Sequence, residues 1–411
     1  PKPLFAFFQP PYHYGLAFLG ALLYGFPSKK LFVIGVTGTK GKTTTAELIN
    51  TVLEETGFAT ALADTVRFKI ADVSEDNLYK MTLPGRFFIQ RFLAKAVAAK
   101  CTHAVVEVSS EATIQFRDRF LYLDALVFTN LAPEHIESHG SYENYVAAKL
   151  HIGKRVLSSK KPRQILVLNK DDKEAKRFED LNIPEVYRFG FADAAPCTAS
   201  PEGTTFTFQK LKMWSRLPGE FNVYNMLAAL TLGRALRIDG ETMKRAIEKF
   251  PGVRGRAQKI SAGQPFSVII DYAHTPDSLE ALYKAYPALR KICVLSGTGG
   301  GRDRSKRPAM GAVAGKYCDT IILTDEDPYD ENPRAIVEEI KNGIPKNAAA
   351  GKVLVEMDRR AAIAAAFRAA KKNDVVLITG KGTDPYIMGP RGLKTPWSDA
   401  RVAEEELRKL S

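Results

Sequence analysis

The sequence predicts an α/β protein with two doubly wound parallel sheets, one after the other along the chain. From residue 31 onward, short apolar runs alternate with helical patterns, as in parallel strands joined by crossover helices. The alternation is interrupted after about residue 185 and resumes near residue 266. At about 100–200 residues per domain, a chain of 411 residues has room for two or three domains.

The first sheet takes its predicted strands from four apolar runs: LFVIGV, THAVVEVSS, LDALVFTNL and ILVLNKDD. Helical patterns follow the first strand, in TTTAELINTVLEETG, and precede the second, in AKAVAAK. Residues 185–215 are short, Thr-rich and alternating, which favours a small antiparallel sheet. Two predicted helices, at 222–236 and 239–250, complete this part of the chain.

The second sheet follows PGVRGRAQ, residues 251–258, a turn rich in Gly, Pro and Arg that we take as the domain boundary. Its strands are expected in FSVIIDYA, ICVLSGTGG, DTIILTDEDP and VVLITGKG, with helices between them. Ligands of doubly wound sheets bind at the carboxyl ends of the strands. The polar residues that close these segments are therefore candidate binding residues.

The charge and the cysteines restrict the class of function. The formal net charge of +13 and the pI of about 9.4 favour anionic ligands such as nucleotides, and a generally basic surface explains them equally well. No dense Lys/Arg block with interleaved aromatic residues occurs, so we expect no nucleic-acid target. The four cysteines are far apart and lack metal-site spacing, which indicates free thiols in a reducing cytosol.

The most apolar stretch near the N-terminus is GLAFLGALLYGF, residues 15–26. It is shorter than the roughly 20 residues that a membrane-spanning helix needs. No small-residue cleavage site is evident, and a predicted strand follows almost at once. We therefore expect a buried helix, no membrane insertion and a cytoplasmic protein.

GVTGTKGKTTTAELIN, residues 35–50, places a turn of small and hydroxylated residues between a strand and a helix. Gly41, Lys42 and Thr43 match the end of the common nucleotide loop G-x-x-x-x-G-K-[ST], but Val36 replaces its first glycine. Backbone N–H groups at the start of a helix suit a phosphate. We expect Lys42 to reach the terminal phosphates of a nucleotide and Thr43 to hold Mg²⁺.

Further polar segments follow the next strands of the first sheet. Glu107 opens EVSSEATIQFR at the end of a predicted strand, where a carboxylate suits Mg²⁺. TNLAPEHIESHG, residues 129–140, carries His135 and His139 but lacks the cysteine or close histidine pair that zinc would need. Lys149 lies on the next predicted helix, where a surface lysine is the ordinary interpretation.

The loops of the second sheet carry charged groups of both signs. Asp271 and His274 end its first strand in DYAHTPDSLE, and GTGGGRDRSKRPAMG, residues 297–311, follows the second strand. TDEDPYDENP supplies acidic residues, and GKGTDPY supplies another glycine turn. Together these loops line one edge of the sheet with groups that bind anions and cations.

Taken in order, these motifs resemble those of the Mur ligases, the ATP-dependent amide-forming enzymes of peptidoglycan synthesis. TGTKGKTTT is similar to that family's form of the phosphate loop, which lacks the first glycine. EVSS, DYAHTPDSL, GGGRDRSKRPAMG and GKG look most like the MurE branch, which adds the third amino acid to UDP-N-acetylmuramoyl-dipeptide. The resemblance implies a short N-terminal segment (1–30), a phosphate-loop ATPase domain (31–254) and a Rossmann-like C-terminal domain (255–411).

The resemblance implies a reaction through an acyl phosphate, with ATP, two Mg²⁺ ions and CO₂ as cofactors, the CO₂ as a carbamate on Lys149. The implied catalytic residues are Lys42, His135, Lys149 and Arg256. The implied metal ligands are Thr43, Glu107, His135 and the carbamylated Lys149. The implied ATP-binding residues are Gly38, Thr39, Lys40, Gly41, Lys42, Thr43, Thr44, Asn225, Arg256, Asp271 and His274.

The resemblance also implies two groups of substrate-binding residues. Those that match MurE contacts to the nucleotide-peptide acceptor are Thr82, Ser109, Gln115 and Arg117. Those expected around the incoming amino acid are Arg302, which would grip its carboxylate, and Glu326, Asp327, Gly380 and Asp384.

Several departures from the family's pattern concern the substrates. Only about 30 residues precede the ATPase strand, where MurE proteins carry a domain that grips UDP. The D-N-P-R motif of enzymes that add meso-diaminopimelate aligns with Glu326–Tyr329, so its arginine is absent, and GKGTD stands for GKGHE. We therefore expect lysine, ornithine or another basic amino acid rather than meso-diaminopimelate. In EVSSEA, Glu111 replaces the usual histidine.

Two alternatives stay open from the sequence. One is an amide ligase of the same fold with a non-UDP acceptor, of the cyanophycin or folylpolyglutamate type. The other is a nucleotide-regulated protein whose basic surface holds an anionic polymer. We expect small-molecule substrates and a monomeric protein.

Overall fold

The computed structural model describes residues 3–134, 136–346, 348 and 352–410, with side chains described from residue 11 onward and without that of Ile136. The chain divides into two compact units. Unit 1 comprises Pro1–Thr198, Thr205–Ser215 and Phe221–Phe250, and unit 2 comprises Ala199–Thr204, Arg216–Glu220 and Pro251–Ser411.

The α-helices of the described residues, numbered α1 to α14 in chain order, are Pro3–Leu23, Lys42–Glu55, Arg86–Ala98, Ser110–Ile114, Ile136–His139, Tyr142–Ser158, Ala175–Glu179, Glu220–Ala235, Gly240–Lys249, Pro276–Lys284, Lys306–Tyr317, Pro333–Asn342, Arg359–Ala369 and Asp399–Arg408. The strands, numbered β1 to β19 in the same way, are Phe32–Thr37, Thr60–Ala63, Arg67–Ile70, Val73–Asp76, His103–Glu107, Ala125–Phe128, Ile165–Asn169, Glu185–Phe189, Cys197–Ser200, Gly203–Phe208, Leu211–Ser215, Gln258–Ile260, Ser267–Ile270, Lys291–Leu295, Thr320–Leu323, Lys352–Val355, Val375–Ile378, Tyr386–Met388 and Lys394–Pro396.

The main sheet of unit 1 has the strand order β4-β3-β2-β5-β1-β6-β7-β8. Strands β2, β5, β1, β6, β7 and β8 are parallel, and β3 and β4 extend the sheet as an antiparallel hairpin. Strands β6 and β7 are fully buried, and so is β5 apart from His103, because helices cover a parallel sheet on both faces. Since β5 and β6 flank β1, their carboxyl ends meet at the loop that follows Thr37.

The predicted strands of this sheet are confirmed, with two differences. Residues 185–189 form the edge strand β8, parallel to β7, whereas the sequence pattern predicted a small antiparallel sheet there. An edge strand is half exposed, so its sequence alternates as an antiparallel strand does. The small sheet itself exists, with the order β11-β10-β9. Strand β2 and the hairpin of β3 and β4 were not predicted.

Helix α1 confirms the predicted helix but not its burial. Ala17 and Ala21 are buried, while Phe18, Leu19 and Leu22 are 45%, 52% and 54% exposed. A helix that packs on one side only leaves the other side to the solvent. In the part of the chain that the structure describes, no helix is both long and apolar enough to cross a membrane.

The main sheet of unit 2 has the strand order β12-β13-β17-β14-β15-β16. All its pairs are parallel except β12 with β13. The predicted strands β13, β14, β15 and β17 are confirmed, and β12 and β16 add an edge on each side. Helices α13 and α14 cover one face, where Ile363, Phe367 and Val402 join the buried core.

The cysteines differ from the expected free thiols. Cys293 on β14 and Cys318, which follows α11, form a disulfide with a Cα–Cα distance of 6.2 Å. Since α11 returns the chain to the strand that pairs with β14, residues 25 apart in sequence become neighbours. Cys101 and Cys197 take no part in a disulfide.

Candidate active site

The loop after β1 has the geometry of a phosphate-binding turn. Gly41 has φ +79° and immediately precedes α2, so α2 begins with Lys42 and Thr43. Gly38 has φ +151°, and a Cβ atom there would lie 1.9 Å from Thr129 Oγ1. Both glycines are therefore required by backbone conformation or space. The N–H groups at the start of a helix lack partners within that helix, so this end of α2 suits an anion.

Residues that follow β6 hold this loop in place. The Thr39 N–H donates to Asn130 O at 2.8 Å, and the Lys40 N–H donates to Asn130 Oδ1 at 2.9 Å. Thr129 Oγ1 donates to Lys40 O at 2.7 Å. Thr39 Oγ1 and the Tyr145 hydroxyl lie 2.9 Å apart. These contacts preorganise the loop before a ligand arrives.

Glu107, at the end of β5, contacts the first residues of α2. Thr43 Oγ1 donates to Glu107 Oε2 at 2.9 Å, and Lys42 Nζ lies 4.0 Å from Glu107 Oε1. Glu107 is only 2% exposed. The predicted metal ligands Thr43 and Glu107 are thus brought together beside Lys42.

Thr65 is a site residue that sequence reasoning missed. Its N–H and its Oγ1 donate to Glu107 Oε2 at 3.1 and 3.0 Å. Its neighbour Asp64 is buried and accepts the N–H groups of Val66 and Arg67 at 2.7 and 2.8 Å, which fixes the turn between β2 and β3. Burial, together with the charges of Glu47 and Glu107, holds the pKa of Asp64 well above its usual range. Thr65 therefore orients the Glu107 carboxylate, and Asp64 fixes the turn that carries Thr65.

Lys149 lies on α6 and points into the core rather than to the surface. It is 1% exposed, and its Nζ donates to Gly38 O at 2.6 Å and to Thr37 Oγ1 at 3.4 Å. Burial, and then the nearby Lys42 charge, hold the pKa of Lys149 well below its usual value. A lysine that titrates lower than usual supplies a neutral, nucleophilic amine more readily.

Other predicted residues of unit 1 also surround the loop. Asn225 on α8 accepts from Thr45 Oγ1 at 3.3 Å, and a Cβ atom at Gly41 would lie 2.2 Å from Asn225 Oδ1. Lys40 forms an ion pair with Glu134 at 2.8 Å. Thr44 is buried in the first turn of α2. His135 lies outside the described residues.

The residues predicted to contact the acceptor cluster around the start of α4. Thr82 Oγ1 and Ser109 Oγ are 3.3 Å apart, and Ser109 caps α4 by accepting the Ala112 N–H. Arg117 donates to Gln115 Oε1 at 3.0 Å and to Leu83 O at 2.9 Å. Glu111 lies in the first turn of α4, where its charge acts on Arg117 and Lys149.

In unit 2, the predicted nucleotide-binding residues lie close to one another. The Arg256 guanidinium lies over the Tyr272 ring, 4.3 Å from its centroid. Asp271 accepts the N–H groups of Ala257 and Ala273 at 2.6 and 2.7 Å. Burial raises the pKa of Asp271, and the Arg256 charge opposes this shift. His274 Nδ1 lies 2.7 Å from Tyr272 O.

The acidic residues predicted to surround the incoming amino acid form hydrogen bonds and ion pairs with other residues of unit 2. Glu326 is 3% exposed and accepts from Ser296 Oγ at 2.7 Å and from Thr298 Oγ1 at 3.0 Å. Asp327 is also 3% exposed. The buried Lys381 ammonium lies 2.8 Å from Asp327 Oδ1 and 3.5 Å from Asp384 Oδ2. Lys381 was not singled out from the sequence.

Gly380 borders this acidic cluster, and Arg302 acts on the neighbouring Tyr272 through its charge. Gly380 has φ +104°, and a Cβ atom there would lie 2.2 Å from Glu326 Oε2. Arg302 is exposed. The Asp384 charge and burial raise the pKa of Tyr272, and the Arg302 charge opposes part of this shift.

Across the described ranges, no group of three or more His, Cys, Asp and Glu side chains could hold a metal ion.

Comparison with known proteins identifies the family. The Mur ligase middle-domain model matches residues 36–233, and the model for the Mur ligase, glutamate ligase domain matches residues 255–382. The UDP-N-acetylmuramyl-tripeptide synthetase of Roseiflexus sp. (strain RS-1) is 37% identical over 421 residues, covering 96% of this chain and 82% of that protein. The chain belongs to the Mur ligase family. The family predicted from the motifs is thus confirmed.

Other relatives support the MurE branch. The UDP-N-acetylmuramoyl-L-alanyl-D-glutamate--2,6-diaminopimelate ligase of Syntrophomonas wolfei is 36% identical over 405 residues, covering 96% of this chain and 81% of that protein. A solved structure of an enzyme with the same name has a TM-score of 0.63 and 27% identity, covering 92% of this chain and 79% of that one. A folylpolyglutamate synthase from Mycobacterium tuberculosis has a TM-score of 0.70 at 16% identity and shares the fold.

The comparisons confirm the predicted fold class and enzyme class. This Mur ligase is an ATP-dependent, ADP-forming acid–amino-acid ligase, and its family uses ATP and Mg²⁺. Its fold is the phosphate-loop central domain followed by a Rossmann-like C-terminal domain.

Proposed function

We propose that this Mur ligase joins an amino acid to the carboxylate of a UDP-N-acetylmuramoyl-dipeptide in peptidoglycan precursor synthesis. The observation that carries the proposal is the loop of Gly38–Thr44, with Lys42 and Thr43 at its end and Glu107 beside them. The names of the relatives supply the acceptor.

A carboxylate is a poor acyl donor, so the reaction first converts one of its oxygens into part of a leaving group. The acceptor carboxylate attacks the terminal phosphorus of ATP, which forms an acyl phosphate and releases ADP. The amine of the incoming amino acid then adds to the acyl carbon, and the tetrahedral intermediate expels phosphate. Because two anions must meet in the first step, cations are needed between them. Lys42 and Arg256 would supply these positive charges.

The oxygens of Thr43 and Glu107 fit Mg²⁺, which prefers hard oxygen ligands. A bound Mg²⁺ would neutralise phosphate charge at the start of α2. His135 would be a further ligand by resemblance to the family. The second predicted metal site would need Lys149 to become an anion.

We propose that Lys149 carries a carbamate when the enzyme is active. Its neutral amine would attack CO₂, forming a C–N bond and releasing one proton, so a buried neutral group would become an anion. The lowered pKa of Lys149 and its burial beside Gly38 support this role. The carbamate would then help to position the metal near Glu107.

We propose the ribose and adenine as the partners of Asp271, His274 and Asn225. The acceptor peptide would be bound by the residues clustered near α4, namely Thr82, Ser109, Gln115 and Arg117. Arg302 would bind the carboxylate of the incoming amino acid.

We propose the domain limits 31–254 and 255–411, a monomeric state and a cytoplasmic location as well.

For the incoming amino acid we propose lysine, ornithine or a similar basic side chain. Tyr329 occupies the position where the D-N-P-R motif has its arginine, so a distal carboxylate would lack that partner. Asp327 and Asp384 lie near one buried ammonium, that of Lys381. Arg359, the buried cation that shares Ser296 with Glu326, is itself paired with Asp399, so the cluster keeps a net negative charge. This negative charge favours an incoming amino acid whose side chain ends in an amine. Buried as they are, Glu326 and Asp327 would act through the field rather than by contact.

Phosphate release from ATP tests this proposal. With Mg²⁺ and UDP-N-acetylmuramoyl-L-Ala-D-Glu, we expect release that depends on both the acceptor and a basic amino acid, with the amide product seen by mass spectrometry. Selective use of meso-diaminopimelate would contradict the amino-acid proposal while keeping the ligase assignment. Release that needs an amino acid but accepts only an acceptor without UDP would contradict the proposed acceptor.

A further inference from the structure

The exposed side of helix α1 is unusually apolar. Tyr12, Leu19, Leu22 and Leu23 are 62%, 52%, 54% and 67% exposed, and Phe18 is 45% exposed. At 3.6 residues per turn these five side chains fall on one face, within roughly half of the helix circumference. We call these five residues the α1 face. It lies opposite Ala17 and Ala21, which are buried.

The α1 face lacks the polar residues that a surface helix normally turns to water. Residues 3–28 contain no Asp, Glu, Lys or Arg. Adjacent exposed apolar side chains of this size mark an interaction surface rather than scattered surface residues.

Aromatic rings border the α1 face and continue it onto the next segment of unit 1. The Phe120 ring lies 5.4 Å from the Tyr14 ring, 5.6 Å from Phe18 and 6.3 Å from Phe26. Tyr and Trp rings with one wet and one apolar end are enriched where proteins meet the boundary of a membrane. Tyr12 and Tyr14, which are 62% and 45% exposed, supply rings of this kind to the surface.

Two cations lie over the rings of Tyr14 and Phe26. The Arg119 guanidinium lies 5.5 Å from the centroid of Tyr14, and Lys29 Nζ lies 4.9 Å from the centroid of Phe26. Lys29 and Lys30 are exposed six and seven residues after the end of α1. A positive rim around an uncharged apolar face is complementary to a surface with negative headgroups above an apolar layer. The net charge of +13 adds a long-range attraction of the same sign.

We propose that the α1 face lies on the surface of a membrane containing anionic phospholipids, with its apolar side chains at the headgroup boundary. Lys29, Lys30 and Arg119 would contact headgroup phosphates. The helix would lie in the plane of the surface. A second copy of this chain or another protein domain is the competing occupant, and the test separates them.

The test is co-sedimentation of the purified protein with vesicles of phosphatidylcholine alone or with 30% phosphatidylglycerol. We expect binding to the anionic vesicles. The double variant Leu19→Gln and Leu22→Gln should bind at least about tenfold more weakly, since apolar burial supplies part of the affinity. The double variant Val73→Gln and Leu78→Gln is the matched control. Val73 and Leu78 are 65% and 55% exposed and lie elsewhere on unit 1. Their replacement also leaves the net charge unchanged, so we expect this variant to bind like the wild type.

Two results would overturn the proposal. One is wild-type protein that stays in the supernatant with both kinds of vesicle. The other is equal binding by wild type and the Leu19→Gln, Leu22→Gln variant, which would show that net charge alone explains the binding. Light scattering without vesicles tests the competing occupant, a second copy of the chain. If the wild type is a dimer, does not bind vesicles, and becomes a monomer in the Leu19→Gln, Leu22→Gln variant, the α1 face is assigned to a second copy. Melting curves of both variants establish that they are folded.

Discussion

Replacing Lys149 with alanine is expected to lower kcat by about 100- to 1000-fold, the size typical of losing one preorganised electrostatic partner of a reacting charge. The variant loses the amine that would carry the carbamate, so the anion proposed beside Glu107 cannot form. A short carboxylate such as acetate, added at millimolar concentration, should restore part of the activity by occupying the space that the side chain vacates. Acceptor-dependent phosphate release measures both effects.

Lys154→Ala is the matched control for this variant. Lys154 lies on the same helix but is exposed, so its loss should leave kcat unchanged. Wild-type activity should also fall in buffer depleted of CO₂ and return with bicarbonate, and Lys149→Ala should respond to neither. Full activity of Lys149→Ala, with a normal melting curve, would contradict the role of Lys149.

Gly38→Ala should abolish nucleotide binding, with kcat/KM for ATP reduced by about 100-fold or more. The new Cβ atom would lie 1.9 Å from Thr129 Oγ1 and 3.0 Å from Asn130 O. Both atoms belong to residues that hold the loop, so the loop must move away from the start of α2. Calorimetric titration with ATP and Mg²⁺ measures the lost affinity directly.

Gly57→Ala separates this effect from backbone strain in general. Gly57 also has a positive φ, +91°, but a Cβ atom added there would meet no other atom within 4 Å, and the residue follows α2 outside the site. We expect the variant to lose about 1 kcal/mol of stability from strain alone and to keep its affinity for ATP. Comparable loss of ATP affinity in both variants would show that the clash at Gly38 is not the cause.

Much of unit 1 could be predicted because short apolar runs ending in polar residues are a strong local signal. The loop of Gly38–Thr44 is encoded within a few residues, so its position after a strand and before a helix was correct. Glu107 was predictable for the same reason, since it ends the strand that pairs with β1.

Contacts between distant segments could not be predicted in this way. Thr65 donates two hydrogen bonds to Glu107 from a turn 42 positions earlier, and no local pattern announces it. The burial of Lys149 depends on where α6 packs, which its own sequence does not reveal. Lys381 forms ion pairs with Asp327 and Asp384, yet in sequence it is simply part of a glycine turn.

The incorrect predictions have physical causes as well. Hydrophobicity alone predicted burial of α1, but burial requires a partner on each side, and the structure places α3 on one side. The disulfide of Cys293 and Cys318 forms because α11 brings the second cysteine back beside β14, which spacing alone does not indicate.

Transfer of an isotope from the acceptor to phosphate tests the central claim most directly. The acceptor UDP-N-acetylmuramoyl-L-Ala-D-Glu would be labelled with ¹⁸O in its reacting carboxylate and converted with ATP, Mg²⁺ and the preferred amino acid. If an acyl phosphate forms, one labelled oxygen leaves with each phosphate, and mass spectrometry should find one ¹⁸O per released phosphate and one in the amide product. Unlabelled phosphate, or label in AMP, would contradict the account.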